Sequence, residues 1–153
     1  MYQDDIPAEI TFENSIAIDT ETQGLLLQRD RLCLIQLSDG NGDAHLVQFS
    51  ADQYAAPNLK RQLNNPETLK IFHFARFDLA AIKAYLDIDC APVFCTRIAS
   101  RLTRTYTDKH GLKDICAELL GIELSKQQQQ SDWADTCLLY TSPSPRDGLL
   151  SRM

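Results

Sequence analysis

The chain has 153 residues, of which 44% are hydrophobic and 24% charged, and its formal net charge at pH 7 is −6. These values are typical of a globular chain with one core, and they exclude a disordered protein or two domains of ordinary size. So acidic a chain does not hold nucleic acid by general electrostatic attraction, although a local basic groove or a bound metal is compatible with it.

Neither a membrane span nor a secretion signal is indicated. No apolar run approaches the ~20 residues that a membrane-spanning helix needs, and the N-terminal residues Met1 to Asp5 are acidic rather than hydrophobic. The five cysteines are scattered and form no C-x-x-C pair, which favours a reduced compartment. We therefore expect a cytoplasmic protein without membrane contact, and the sequence indicates no obligate protein partner.

The first third of the chain predicts an antiparallel meander. Residues 10–19 form the first predicted strand, Arg31 to Ser38 the second and Ala44 to Phe49 the third. The sequence DGNGD at positions 39–43 is a strong turn signal between the second and third strands. Strands joined by such short turns pair side by side in opposite directions.

After the meander, helices and strands are predicted to alternate. A short helix beginning at Pro57 ends before Pro66, because proline forbids continuation. Leu69 to Phe74 is a compact apolar strand, and a strand after a crossover helix runs parallel to its neighbour. The predicted fold class is therefore α/β, a mixed sheet with flanking helices. The later predicted helices lie at residues 75–86, 96–103 and 111–120.

The predicted helix over residues 96–103 begins a basic stripe. Arg97, Arg101 and Arg104 recur at i, i+4 and i+7, which places them on one helical face, and Lys109 extends the basic character. A solvated helix face and a track for a phosphate backbone are both consistent with this pattern.

A pair of carboxylates ends the first predicted strand. Alternation along the strand places Asp19 and Glu21 on the same face, while Thr20 points away. Two carboxylates so close repel each other unless a cation lies between them, and their hard oxygens suit Mg²⁺ or Mn²⁺. An isolated D-x-E is as consistent with the polar end of an ordinary strand as with a metal site, so a second motif is needed to decide between them.

The candidate partner is Asp78, in the first turn of the helix that follows the predicted parallel strand. A carboxylate there can face the Asp19 and Glu21 pair across the end of the sheet. Three such acids can hold one metal ion and begin a second site, as in two-metal phosphodiester hydrolysis with ions ~3.5–4 Å apart. The sequence offers these acids and no evident serine or cysteine triad.

These motifs resemble those of a known family. Ile18 to Leu25, with the sequence IDTETQGL, resembles the first motif of the DEDD 3′–5′ exonucleases, and His73 to Leu79, HFARFDL, resembles the second. Segments 32–38 and 111–133 are similar to the ribonuclease D branch, particularly its short single-domain bacterial members. The resemblance covers about residues 16–133. It implies a ribonuclease-H-like fold, two divalent ions and hydrolysis from the 3′ end of RNA or single-stranded nucleic acid.

The resemblance also implies roles for particular residues. Asp19, Glu21 and Asp78 would be the catalytic metal ligands, and Glu21 would also approach the 3′ hydroxyl of the terminal nucleotide. His73 could line the site, or it could lie at the end of the strand without contacting substrate. The residues expected to contact nucleic acid are Gln23, Leu25, His73, Phe77, Arg97, Arg101, Arg104 and Lys109.

The chain departs from the family at the third motif, a helical tyrosine followed four residues later by aspartate. Four residues after Tyr140 stands Ser144, flanked by prolines that a helix does not accommodate. We therefore predict an exonuclease domain over residues 1–136 whose last helix is missing, truncated or chimeric after about Trp133. An irregular, non-family tail is predicted over residues 137–153.

The predicted function is a metal-dependent 3′–5′ exonuclease, impaired by loss of the third motif. The alternatives are a catalytically incomplete module that still binds nucleic acid, and a chain that does not fold stably. Phosphatases of the haloacid dehalogenase type also begin with a strand that ends in D-x-D-x-T. Here the second acid is Glu21, and Asp78 would have no role in that mechanism.

Overall fold

A computed structural model describes residues 1–124, which form one mixed sheet of six strands with four helices. The strands are β1 (Tyr2–Gln3), β2 (Ser15–Thr22), β3 (Leu32–Ser38), β4 (His45–Gln48), β5 (Leu69–Phe72) and β6 (Val93–Cys95). The helices are α1 (Pro57–Leu63), α2 (Arg76–Leu86), α3 (Thr96–Thr103) and α4 (Leu112–Leu120). Within this part of the chain, no helix is long and apolar enough to cross a membrane.

The strand order in the sheet is β1-β4-β3-β2-β5-β6. Antiparallel pairing of β2 with β3 and of β3 with β4 confirms the predicted meander. Strand β5 runs parallel to β2 on the other side, as predicted, and β6 runs parallel to β5. The strand that carries the D-x-E motif therefore lies between two neighbours in the middle of the sheet.

The boundaries of β2 differ from the prediction at both ends. The strand begins at Ser15 rather than residue 10, since the N–H of Phe12 donates to the side chain of Gln62 at 3.3 Å instead of joining the ladder. It continues to Thr22 because pairing with β3 persists beyond Asp19, with a shift in register after Glu21. Strands β1 and β6 were not predicted, because two or three residues are too few to show an alternating pattern.

The two faces of β2 have different environments. Ile16 and Ile18 are buried in the main hydrophobic core, which also contains Leu59 of α1 and Ile82 of α2. Ala17, Asp19 and Glu21 alternate with the buried residues of β2 and are half-buried on the opposite face. This confirms that the two acids share one face of the strand.

The opposite face of the sheet borders a cavity of about 290 Å³. Apolar residues of the sheet and of α4, including Ile71, Leu112 and Ile115, form most of its wall. Asp19 and His73 supply polar groups to the same wall. The acidic end of β2 therefore adjoins an apolar space under α4.

Candidate active site

Asp78 is joined to the D-x-E motif by two hydrogen bonds from Thr20. On the β5 side of β2, the ladder ends at the pair Ala17 and Ile71, so the N–H of Thr20 lies beyond the reach of β5. This N–H donates to Oδ1 of Asp78 at 3.0 Å, and the Thr20 hydroxyl donates to the same oxygen at 2.7 Å. The helix α2 thereby places its acid beside the strand position between Asp19 and Glu21.

The carboxyl of Asp78 is 7% exposed. Burial raises its pKa from 3.8 to about 6, the hydrogen bonds from Thr20 oppose that rise, and the negative charge of Asp19 adds to it. The effect of Asp19 on this pKa shows that the two acids lie close enough to repel each other. Such a pair favours a nearby cation, which would relieve the repulsion.

The three predicted acids supply the hard oxygen donors that Mg²⁺ prefers. Asp19 and Glu21 are half-buried on β2, and Asp78 is buried on α2. The two Thr20 contacts use Oδ1 of Asp78 and not Oδ2. Within residues 1–124, however, no three His, Cys, Asp or Glu side chains form one group able to hold a metal ion. The donor chemistry therefore fits a divalent cation, and the described residues supply an incomplete ligand set.

His73 is half-buried at the end of β5 and is held in one tautomer. The hydroxyl of Thr96 donates to the carbonyl of Phe72 at 3.1 Å, so it accepts from Nδ1 of His73 at 2.9 Å. Burial and the charge of Arg97 both lower the pKa of His73. His73 is thus a neutral imidazole with its proton on Nδ1, and it lines the cavity beside Asp19.

The other residues predicted to contact nucleic acid lie in several parts of the fold. Gln23 and Leu25 are exposed in the loop that follows β2, and Leu25 is 82% exposed. Phe77 is half-buried in the first turn of α2. Arg101 is exposed on α3, and Lys109 is exposed in the connection to α4. No described contact joins these five residues into one surface.

Arg104 does not lie on the stripe predicted for three arginines, because α3 ends at Thr103. Its side chain is buried, donates to the Ser100 hydroxyl at 2.9 Å and to the Lys109 carbonyl at 2.8 Å, and pairs with Glu118 of α4. These contacts join α3 to α4. The predicted single stripe is therefore wrong, and nucleic-acid contact by Arg104 stays a prediction that its burial does not favour.

Sequence analysis missed the residues that shape the loop after β2. Asp30 is 5% exposed, and its carboxylate accepts the N–H of Leu26 at 2.9 Å. A Cβ atom at Gly24 would lie 2.3 Å from Oδ2 of Asp30, so a side chain there would force the Asp30 carboxylate to move. The loop is also fastened by the Tyr85 hydroxyl, which donates to the carbonyl of Leu27 at 2.7 Å. The glycine three positions after Glu21 was the one sequence signal of this close approach.

Comparison with known proteins assigns the fold. The family model described as 3′–5′ exonuclease matches residues 4–149 of the chain. The chain belongs to the 3′–5′ exonuclease family. This match extends into the segment from residue 137 for which the sequence predicts a non-family tail, so the domain boundary remains a prediction. The predicted third motif and tail lie outside the described residues.

Individual relatives of this exonuclease chain agree with the family. Ribonuclease D of Gluconacetobacter diazotrophicus is 30% identical over 122 residues, which are 80% of this chain and 30% of that protein. The chain spans only about 30% of the length of the first curated relatives that it matches.

Solved structures are similar over almost the whole exonuclease chain. The structure of Brucella melitensis NrnC bound to pGG has a TM-score of 0.86 and 46% identity, and the match covers 98% of this chain and 71% of that one. The same nuclease with bound Mg²⁺ has a TM-score of 0.84, 45% identity and the same coverage. These matches confirm the predicted ribonuclease-H-like α/β fold and the resemblance to ribonuclease D.

Proposed function

We propose that this exonuclease domain hydrolyses phosphodiester bonds from the 3′ end of RNA or another single-stranded nucleic acid. The observation that carries this proposal is the position of Asp78, which is fixed by Thr20 beside Asp19 and Glu21. Asp78 of α2 thereby lies beside the segment of the central strand that carries Asp19 and Glu21. That arrangement suits phosphoryl transfer, which depends on positioned charge rather than on a nucleophilic side chain.

Asp19, Glu21 and Asp78 would hold Mg²⁺ or Mn²⁺, and two ions are proposed from the family resemblance. When bound, the metal would supply a Lewis acid and an activated water for the displacement. The raised pKa of Asp78 supports this role, because burial and the negative charge of Asp19 both disfavour the carboxylate, which a bound cation would stabilise. Above pH about 6 this side chain is ionised and able to bind one.

The substrate proposal is supported by the exposed loop after β2 and by one relative. Gln23 and Leu25 adjoin the acidic end of β2 and are open to solvent, so they can contact the terminal nucleotide. His73 follows β5 and Phe77 lies on α2, both near the same end of the sheet. Arg101 and Lys109 would contact phosphates further away. NrnC of Brucella melitensis, with the same fold, has been solved with pGG bound.

The test uses single-stranded RNA and DNA labelled at the 5′ end. We expect Mg²⁺ or Mn²⁺ to support stepwise shortening from the 3′ end, and Asp19→Ala to abolish it. The matched control is Asp89→Ala, which removes an exposed carboxylate paired only with Lys83. Shortening that persists in Asp19→Ala, or that proceeds in excess EDTA, would refute the proposed site.

A second function, binding of nucleic acid without hydrolysis, is favoured by two observations. The described residues gather no group of three metal-ligating side chains, and the sequence shows Ser144 where the family would have its fourth acid. We propose that loss of the third motif abolishes turnover in this case and leaves binding of nucleic acid. Metal-independent binding of the labelled RNA, with no shortening at any metal concentration, would support this second function.

A further inference from the structure

The turn between β5 and α2 holds a phenylalanine in an unfavourable backbone conformation. Phe74 has a φ of 66°, in the left-handed region that bulky residues rarely adopt. Burial of the ring does not compensate for this conformation, because the residue is 52% exposed. Backbone strain of this kind persists where the surrounding structure enforces it, and it is concentrated at ligand-binding sites.

Arg97 lies over this ring. The guanidinium carbon is 4.3 Å from the centroid of Phe74, a cation–π contact that covers one face of the ring. Arg97 forms no ion pair with any described residue. Its buried Nε also has no hydrogen-bond partner in the described part of the chain. The arginine therefore keeps a positive charge that no acidic side chain of the described residues neutralises by contact.

This pair lies beside the candidate active site. Phe74 follows His73 at the end of β5 and precedes Asp78 by one turn of α2. Arg97 lowers the pKa of His73, so the two side chains are near each other. His73 in turn lines the same cavity as Asp19. An aromatic ring and a cation without an ion pair among residues 1–124 are thus found at the same end of the sheet as Asp19 and Asp78.

We propose that Phe74 and Arg97 form a platform on which one base of a single-stranded nucleic acid stacks, with Arg97 contacting an adjacent phosphate. This inference rests on the proposed function for its substrate class. It pairs Arg97, which the sequence places among the residues expected to contact nucleic acid, with Phe74, which the sequence motifs did not indicate. An aromatic ring stacks on any base, because every base presents a π face. The platform would therefore hold the strand without selecting its sequence.

The test is equilibrium binding of a labelled single-stranded RNA in EDTA, where hydrolysis does not interfere. The RNA is used intact and as a series in which each of the last few nucleotides in turn lacks its base. We expect Phe74→Leu to weaken binding of the intact RNA roughly tenfold. The same substitution should have no effect on the one RNA that lacks the stacked base. Phe74→Tyr should restore the affinity and the dependence on that base.

A second variant separates binding from folding. Glycine adopts a positive φ without strain, so Phe74→Gly should fold at least as stably as the unaltered chain while it binds RNA as weakly as Phe74→Leu. Leu102→Ala serves as the surface control, since Leu102 is 74% exposed on α3 and lies on no proposed contact. Its affinity should equal that of the unaltered chain.

Several results would overturn the platform. The first is unchanged RNA affinity in Phe74→Leu, and the second is an equal loss of affinity in this variant for every abasic RNA. The third is a lower molar mass of Phe74→Leu than of the unaltered chain, with unchanged RNA affinity, which would make Phe74 a contact between copies of the chain. No measurable RNA binding by the unaltered chain, together with no RNA shortening in Mg²⁺ or Mn²⁺, would overturn the platform and the proposed function. RNA shortening without base-dependent binding would overturn the platform alone, and base-dependent binding without shortening would overturn hydrolysis alone.

Discussion

Thr20 binds a single oxygen of Asp78 through both of its donors, the N–H at 3.0 Å and the hydroxyl at 2.7 Å. These hydrogen bonds oppose the burial that raises the pKa of Asp78 to about 6. Thr20→Val keeps the shape of the side chain and removes the hydroxyl donor, so the pKa of Asp78 should rise further. We expect the acidic limb of the pH profile of kcat/KM for RNA to move upward by about one pH unit.

Thr20→Ser is the matched control for that substitution, because serine retains the hydroxyl donor. Its pH profile should coincide with that of the unaltered chain. A valine variant with lower activity at every pH and an unshifted acidic limb would contradict the role assigned to the hydrogen bond.

Ionisation of Asp78 should make the fold less stable at neutral pH. The folded-state pKa of about 6 lies above the ordinary value of 3.8, so the folded protein binds this proton more tightly than the unfolded chain does. The resulting stabilisation is complete below pH 3.8 and is lost as the pH rises through 6, a difference of about 3 kcal/mol. In metal-free buffer, Asp78→Asn should therefore gain stability relative to the unaltered chain as the pH rises.

Urea unfolding of both proteins across this pH range measures the effect. The difference in unfolding free energy should grow by up to about 3 kcal/mol between pH 3.8 and neutral pH. A difference that does not vary with pH would show that the carboxyl titrates at its ordinary value in the folded protein.

Binding of Mg²⁺ should stabilise the folded chain. Mg²⁺ that binds the folded chain and not the unfolded one raises Tm, and at a concentration 100 times Kd the gain is about 2.7 kcal/mol. We expect this rise for the unaltered chain, its removal by EDTA, and its absence in Asp19→Asn. Asp89 has an exposed carboxylate that pairs with Lys83, so Asp89→Asn should respond to Mg²⁺ like the unaltered chain.

The arrangement of the two acids on β2 could be predicted because it depends only on local sequence. Alternation along β2 places Asp19 and Glu21 on one face whatever else the fold does. The Thr20 contact depends instead on where β5 stops pairing, which is a tertiary register that no local pattern records. The prediction that Arg104 shares a helical face with Arg97 and Arg101 was wrong for a related reason. Helix α3 ends at Thr103, just before Arg104, and the Arg104 side chain pairs with Glu118.

Gly24 should not tolerate a side chain, since a Cβ atom there would collide with the carboxylate of Asp30. Gly24→Ala should displace Asp30 from the N–H of Leu26 and so disorder the loop that carries Gln23 and Leu25. We expect KM for RNA to rise more than kcat falls.

The double substitution of Gly24 and Asp30 by alanine tests the cause of that defect. Without the Asp30 carboxylate there is no collision, so the double variant should be no worse than Asp30→Ala alone. If the two defects simply added, the collision would not be the reason that glycine is needed.

Arg104 should act on stability rather than on substrate. Arg104→Lys keeps the charge and loses the planar group that reaches Ser100, the Lys109 carbonyl and Glu118 together. We expect a lower Tm and faster proteolysis between α3 and α4, with unchanged affinity for RNA in EDTA. Weaker RNA binding at unchanged Tm would instead place Arg104 in the nucleic-acid interface.

The sheet of the described residues ends in its two shortest strands. Strand β1 has two residues and β6 has three, whereas the eight-residue β2 and the seven-residue β3 are enclosed on both sides. An outer strand offers unpaired backbone groups to any extended chain, and the number it offers grows with its length. The residues described here therefore present little backbone on which another molecule could extend the sheet, which should limit aggregation by strand addition at high concentration.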